Sequence, residues 1–144
     1  MKNILVIHGP NLNMLGRRDP QHYGTLTLEQ LYQALIDAFP MLDFTFYQTN
    51  HEGEIIDLLQ DACDQPYDAL LINPGAYTHT SIAIRDALEI LTVPKVEVHL
   101  SEVDNREPFR HVNVIRDVVD ATFAGRQLDS YLEAVRFLEA KAVV

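Results

Sequence analysis

Apolar positions along the chain fall into two alternating patterns. Ile4-Leu5-Val6-Ile7 is short, continuous and β-branched, which predicts a buried strand over residues 3–8. A polar stretch broken by Gly9, Pro10, Gly16, Pro20 and Gly24 follows, too irregular for one element. Apolar residues then recur at Leu28, Leu31, Tyr32, Leu35, Ile36 and Phe39, the spacing of a helix. Thr27 and Gln30 form a capping-box pattern at its start, and Pro40 ends it. Residues 43–48, with Phe44, Thr45, Phe46 and Tyr47, read as a second strand. A turn at Asn50–Gly53 leads into a helix whose apolar face is Ile55, Ile56, Leu58, Leu59, Ala62 and Cys63. Free cysteines are usually buried, so Cys63 is expected in the core.

The same alternation continues to the end. Residues 68–73 form a third strand, and Pro74–Thr80 is a long polar turn. A helix from Ser81 to Leu91 faces inward through Ile84, Ala87, Leu88 and Leu91. A fourth strand spans 95–100, and the polar stretch 101–110 has room for a short helical turn. A fifth strand is expected over 118–123, blemished by Asp120 and ended by Gly125. The last helix runs over 127–141, with Leu128, Tyr131, Leu132, Val135 and Leu138 inward. Strands alternating with helices predict an α/β fold with a parallel sheet covered on both faces. Five strands suit a flavodoxin-like order, 2-1-3-4-5, with ligands bound outside the carboxyl ends of the strands. The polar loops after strands one, three and four would then share one crevice.

Composition narrows the class. At 144 residues the chain is expected to be one domain, 1–144, and 47% hydrophobic content excludes disorder. No apolar run approaches the roughly 18 residues of a membrane span, and no signal-peptide layout precedes the first strand. Cys63 is the single cysteine, so a reducing, cytoplasmic location is expected. The net charge of −10, from 11 basic and 21 acidic residues, disfavours nucleic acid and anionic membranes as partners. It leaves room for a small anionic substrate, since Arg17, Arg18, Arg106 and Arg110 cluster in two short stretches.

Candidate chemistry gathers at the strand ends. The first loop lacks both the dinucleotide and the P-loop glycine patterns, which disfavours a nucleotide binder. It holds Arg18 five positions before Tyr23 instead. A tyrosine is a poor base at neutral pH, but a nearby guanidinium favours the phenolate. On the fourth strand, Glu97 and His99 share a face by alternation, so the carboxylate can fix the imidazole for general-acid work. The backbone amides of Leu100 and Ser101 lie just past the ladder, where they can hold a carboxylate. Asn73 and His79 offer groups suited to hydroxyls. His22, His51 and His111 are less well placed, and no metal-ligand spacing occurs.

These residues stand in four ordered blocks: Ile7–Gly24, Asn73–Ser81, Val96–Ser101 and Arg106–Arg110. The blocks resemble the type II 3-dehydroquinate dehydratases. The resemblance implies a lyase of the shikimate pathway (aromatic amino acid biosynthesis) or of quinate catabolism, working without metal or other cofactor. It would convert 3-dehydroquinate to 3-dehydroshikimate by trans elimination through an enolate-like intermediate. It implies Tyr23 as the base, activated by Arg18, on a lid at about 17–24. Asn11 would hold a water that helps the enolate, and His99, oriented by Glu97, would be the acid. The Leu100 and Ser101 amides would bind the substrate carboxylate, and Asn73, His79 and Arg110 the ring hydroxyls. Asp86 would reach the site of a neighbouring subunit in a homo-oligomer, a dodecamer built from trimers. After Arg110 the chain departs from the family: a His-His-Ser-like continuation is common there, and here it is His111-Val112-Asn113. That departure motivates a second reading, a catalytically silent binding or scaffold paralogue.

Overall fold

The computed structural model describes residues 1–103 and 106–142. Five strands, β1 (Asn3–His8), β2 (Asp43–Gln48), β3 (Ala69–Asn73), β4 (Lys95–Val98) and β5 (Ala121–Phe123), pair in parallel in the order β2-β1-β3-β4-β5. This is the predicted flavodoxin-like order. The helices are α1 (Pro20–Tyr23), α2 (Leu28–Ala38), α3 (Glu52–Ala62), α4 (Ile82–Ile90) and α5 (Leu128–Ala142). No helix among the described residues is long and apolar enough to cross a membrane.

Alternation along the strands builds two cores. Ile4, Val6, Leu71, Val96 and Val98 face Leu31 and Leu35 of α2 and Tyr131, Val135 and Leu138 of α5. Leu5, Ile7, Leu70 and Ile72 face Ile55 and Leu59 of α3 and Ile84 and Leu88 of α4. The capping box is present: Thr27 accepts from the Gln30 amide at 3.1 Å, and Gln30 accepts from the Thr27 amide at 3.0 Å.

Three expectations are corrected. Cys63 is exposed, because the buried face of α3 is Ile55, Leu59 and Ala62, and Cys63, the C-cap residue, lies outside that face. β4 stops at Val98 as a strand, although the His99 amide still reaches the Phe123 carbonyl at 2.9 Å. β5 begins only at Ala121: Arg116–Val118 is a 3-10 helix, and Asp120 turns its carboxylate onto the Lys95 amide at 2.8 Å. The helical turn expected within 101–110 forms at Pro108–His111, while positions 104 and 105 of that stretch lie outside the described residues.

The first and third loops are drawn together by backbone contact. The Gly9 amide donates to the Asn73 carbonyl at 2.8 Å, and a Cβ on Gly9 would lie 2.5 Å from the Pro74 carbonyl oxygen. Only glycine allows that approach.

Below the sheet's carboxyl edge, His8 is fully buried, with Nε2 2.8 Å from the Tyr131 hydroxyl. Burial pulls its imidazole from the ordinary 6.5 to about 3, so it is neutral in the folded protein. Because this value is depressed, the unfolded chain takes up the proton first, and stability is lost as pH falls from 6.5 toward 3. Lowering the pH from 7 to 5 is expected to cost about 2 kcal/mol from this group, before carboxylates protonate. Urea unfolding at the two pH values checks this. Equal pH dependence in wild type and His8→Gln would contradict it.

Candidate active site

The loops after β1, β3 and β4 do enclose one cavity outside the carboxyl ends of the strands. Nine of the eleven residues singled out from the sequence line it: Asn11, Arg18, Tyr23, Asn73, His79, His99, Leu100, Ser101 and Arg110. Glu97 lies directly behind His99. Asp86 is exposed on α4 and is not part of this wall. Arg17 is likewise exposed and outside the lining.

The first loop is more ordered than its glycines and prolines suggest. Leu12–Met14 is a 3-10 helix, and Asp19-Pro20 starts α1, with the Asp19 carboxylate accepting from the Gln21 amide at 3.0 Å. Asn11, with φ of 69°, takes the left-handed turn that Asn tolerates, and it lines the cavity. Helix α1 delivers Tyr23 at its last residue. Gln127 ties this helix from outside, donating to the His22 carbonyl at 3.0 Å.

Two guanidiniums meet the Tyr23 hydroxyl oxygen. Arg18 Nη2 donates to it at 2.7 Å and Arg106 Nη1 at 2.6 Å. The same guanidinium carbons lie 3.7 and 5.1 Å from the centre of the Tyr23 ring. Negative charge developing on that oxygen is met by two cations. Burial chiefly draws the Arg18 guanidinium below its ordinary range, and the Arg106 and Arg110 charges add to this against the pull of Tyr23. Mutually repelling arginines on one wall make an anion-accepting corner in an acidic chain. Arg106 carries no role in the sequence reading. Its signal was present in the basic stretch before Arg110, but only the fold brings it across 83 positions to Tyr23.

At the carboxyl end of β4, His99 Nε2 is 2.5 Å from a Glu97 carboxylate oxygen. With that nitrogen committed, Nδ1 is the ring position left for a ligand. Glu97 is fully buried, and Thr122 donates to it at 3.0 Å and Asn113 at 2.8 and 3.1 Å. Burial pushes its carboxyl up, yet the His99 hydrogen bond and charge, with Thr122 and Asn113, outweigh burial and hold it below the usual carboxylate range.

Ser101 is buried, and among the described residues neither its amide nor that of Leu100 has a partner. Two unsatisfied amides at a cavity wall are suited to a carboxylate. Asn73 is held from beneath: its amide nitrogen donates to Tyr131 at 2.8 Å, and its oxygen accepts from the Gly75 amide at 3.1 Å. Tyr131 therefore links His8 to Asn73, a supporting role that its inward position on α5 did not disclose. His79 Nδ1 bonds the Val112 carbonyl at 2.6 Å, which leaves Nε2 for the cavity side. Arg110 is paired with Glu107 at 2.5 Å.

Comparison with known proteins follows the same lines. The family described as dehydroquinase class II matches residues 2–139. The 3-dehydroquinate dehydratase of Roseiflexus castenholzii is 50% identical over 137 residues, covering 94% of this chain and 87% of that protein. That of Ralstonia pickettii is 43% identical over 139 residues, covering 95% and 90%. The crystal structure of type II dehydroquinase from Butyrivibrio crossotus superposes with a TM-score of 0.93 at 43% identity, over 96% of this chain and 97% of that one. The one from Propionibacterium acnes gives 0.90 at 41% identity, over 100% and 98%. With that family match over residues 2–139 and relatives this similar over nearly the whole chain, the chain belongs to the class II dehydroquinase family.

Proposed function

We propose that this chain is a hydro-lyase that dehydrates 3-dehydroquinate to 3-dehydroshikimate. The observation that carries the chemistry is the Tyr23 oxygen held by two guanidiniums, on the wall of the cavity that also holds the Glu97-backed His99. In this reading the substrate carboxylate sits on the Leu100 and Ser101 amides. Asn73, His79 and Arg110 take the ring hydroxyls. Tyr23, as phenolate, removes a proton from C2, next to the ketone, and Arg18 and Arg106 stabilise the charge it carries beforehand. The C2 electrons move onto the ketone oxygen, and a water oriented by Asn11 holds that enolate. His99 then donates its proton to the C1 hydroxyl, which leaves as water while the enolate collapses to the enone. The proton on Tyr23 returns to solvent as His99 is reprotonated. The two proton transfers use separate groups, which suits a trans elimination. The lid at 17–24 excludes solvent during the reaction.

The reading extends to assembly and setting. In this reading Asp86, exposed on α4, serves the site of a neighbouring copy in a dodecamer of four trimers. A biosynthetic or catabolic dehydratase of this kind works in the cytoplasm. The scaffold alternative rested on the altered segment after Arg110, and that segment keeps a donor on Glu97 beside His99.

The enone product absorbs in the ultraviolet and the substrate does not. Purified protein mixed with 3-dehydroquinate should raise the absorbance, and light scattering on the same sample should give twelve times the 16.4 kDa chain. No rise at high protein concentration would sink the proposal.

A further inference from the structure

We infer that Asn113 is a positioning residue for the acid: it keeps the Glu97 carboxylate ionised and oriented against His99 by donating to both of its oxygens. This rests on the dehydratase reading and concerns a residue to which the sequence reading assigned no role.

The geometry splits the Asn113 side chain into two jobs. Its oxygen accepts from the Ile115 amide at 2.9 Å and the Arg116 amide at 2.8 Å, which shapes the local turn. Its nitrogen donates to Glu97 at 2.8 and 3.1 Å. Glu97 sits on a strand paired on both sides, with no exposure, and a buried carboxylate is costly without donors. His99 and Thr122 supply one bond each, and Asn113 supplies the remaining two. Without them the carboxylate would gain by taking up a proton, and it would then no longer hold the imidazole in the donor state.

The segment is anchored firmly enough for that task. The Val114 amide donates to the Thr78 carbonyl at 2.9 Å, and Arg85 of α4 donates to the Val114 carbonyl at 2.9 Å. The groups facing Glu97 are His99 on its own strand, Thr122 from β5 and Asn113, while its ladder neighbour on β3 is Ile72. The charged groups beside Asn113 on packed elements are Arg85, Arg116 and Asp117, and Arg85 is bonded to Asp117.

Two substitutions separate the jobs. Asn113→Asp keeps the turn-forming oxygen and replaces the donor by an acceptor facing Glu97. Its kcat should fall about tenfold or more, within the span a general acid contributes, with KM changed little. Two carboxylates in contact take up a proton more readily, and the protonated one donates again. The deficit relative to wild type should therefore be largest near pH 8 and shrink toward pH 5.5. Asn113→Ser keeps a donor and should stay within about threefold of wild type. A second readout needs no turnover: the proton on His99 Nε2, short-bonded to Glu97, should give a downfield proton resonance in wild type that moves in Asn113→Asp and is retained in Asn113→Ser. An unchanged kcat in Asn113→Asp, a deficit independent of pH, or an unmoved resonance would each overturn the inference. A wild type with the resonance but no turnover would instead count against the dehydratase reading.

Discussion

Tyr23→Phe should lower kcat by about two to four orders of magnitude, the usual contribution of a positioned acid or base. The substitution removes one oxygen, the atom on which Arg18 and Arg106 converge at 2.7 and 2.6 Å. The ring that the Arg18 guanidinium covers at 3.7 Å remains, so the segment keeps its packing and the proposed substrate partners are untouched. KM should thus change far less than kcat, and the melting temperature should stay near wild type. Loss confined to kcat marks a group used in the transition state rather than in uniform binding. Steady-state kinetics in the ultraviolet assay measure it, and a near-normal rate would show that Tyr23 is not the base.

His99→Asn should cost a similar two to four orders, by a different route. Asparagine leaves Glu97 its donors Thr122 and Asn113, so the buried carboxylate is not abandoned and the fold should survive. It carries no proton to give to a departing hydroxyl. Kinetics at saturating substrate check the size of the effect, and a variant within tenfold of wild type would remove His99 from the role of acid. The two substitutions should not multiply freely, since they act on successive steps of one reaction.

Much of this was legible from the chain alone, for reasons that can be named. Leu5 and Ile7 alternate with Ile4 and Val6 onto opposite cores, and Thr27 with Gln30 marks a helix start, because strand and helix periods and caps are local properties. The sharing of a face by Glu97 and His99 is equally local. Strand boundaries were less legible where a polar side chain serves a distant partner: Asp120 reads as a flaw in a strand, but it is bonded to the Lys95 amide. The misplacement of Cys63 has another cause, since packing buries only Ile55, Leu59 and Ala62 of the wider apolar stripe that the spacing of α3 offers. What the sequence could not disclose is convergence. Arg106 on Tyr23, Asn113 and Thr122 on Glu97, and Tyr131 under Asn73 join positions 16 to 83 residues apart. No periodicity encodes those pairs.

The central claim is that Tyr23 takes the C2 proton and His99 acts afterwards. Exchange of the C2 hydrogen of 3-dehydroquinate with deuterated solvent tests it most directly, read by proton NMR with each variant. His99→Asn should still wash deuterium into C2 of unreacted substrate, because enolate formation remains reversible when the hydroxyl cannot leave. Tyr23→Phe should not do so above the rate without enzyme. Exchange supported by Tyr23→Phe but not by His99→Asn would contradict the account, since it would make His99 the base.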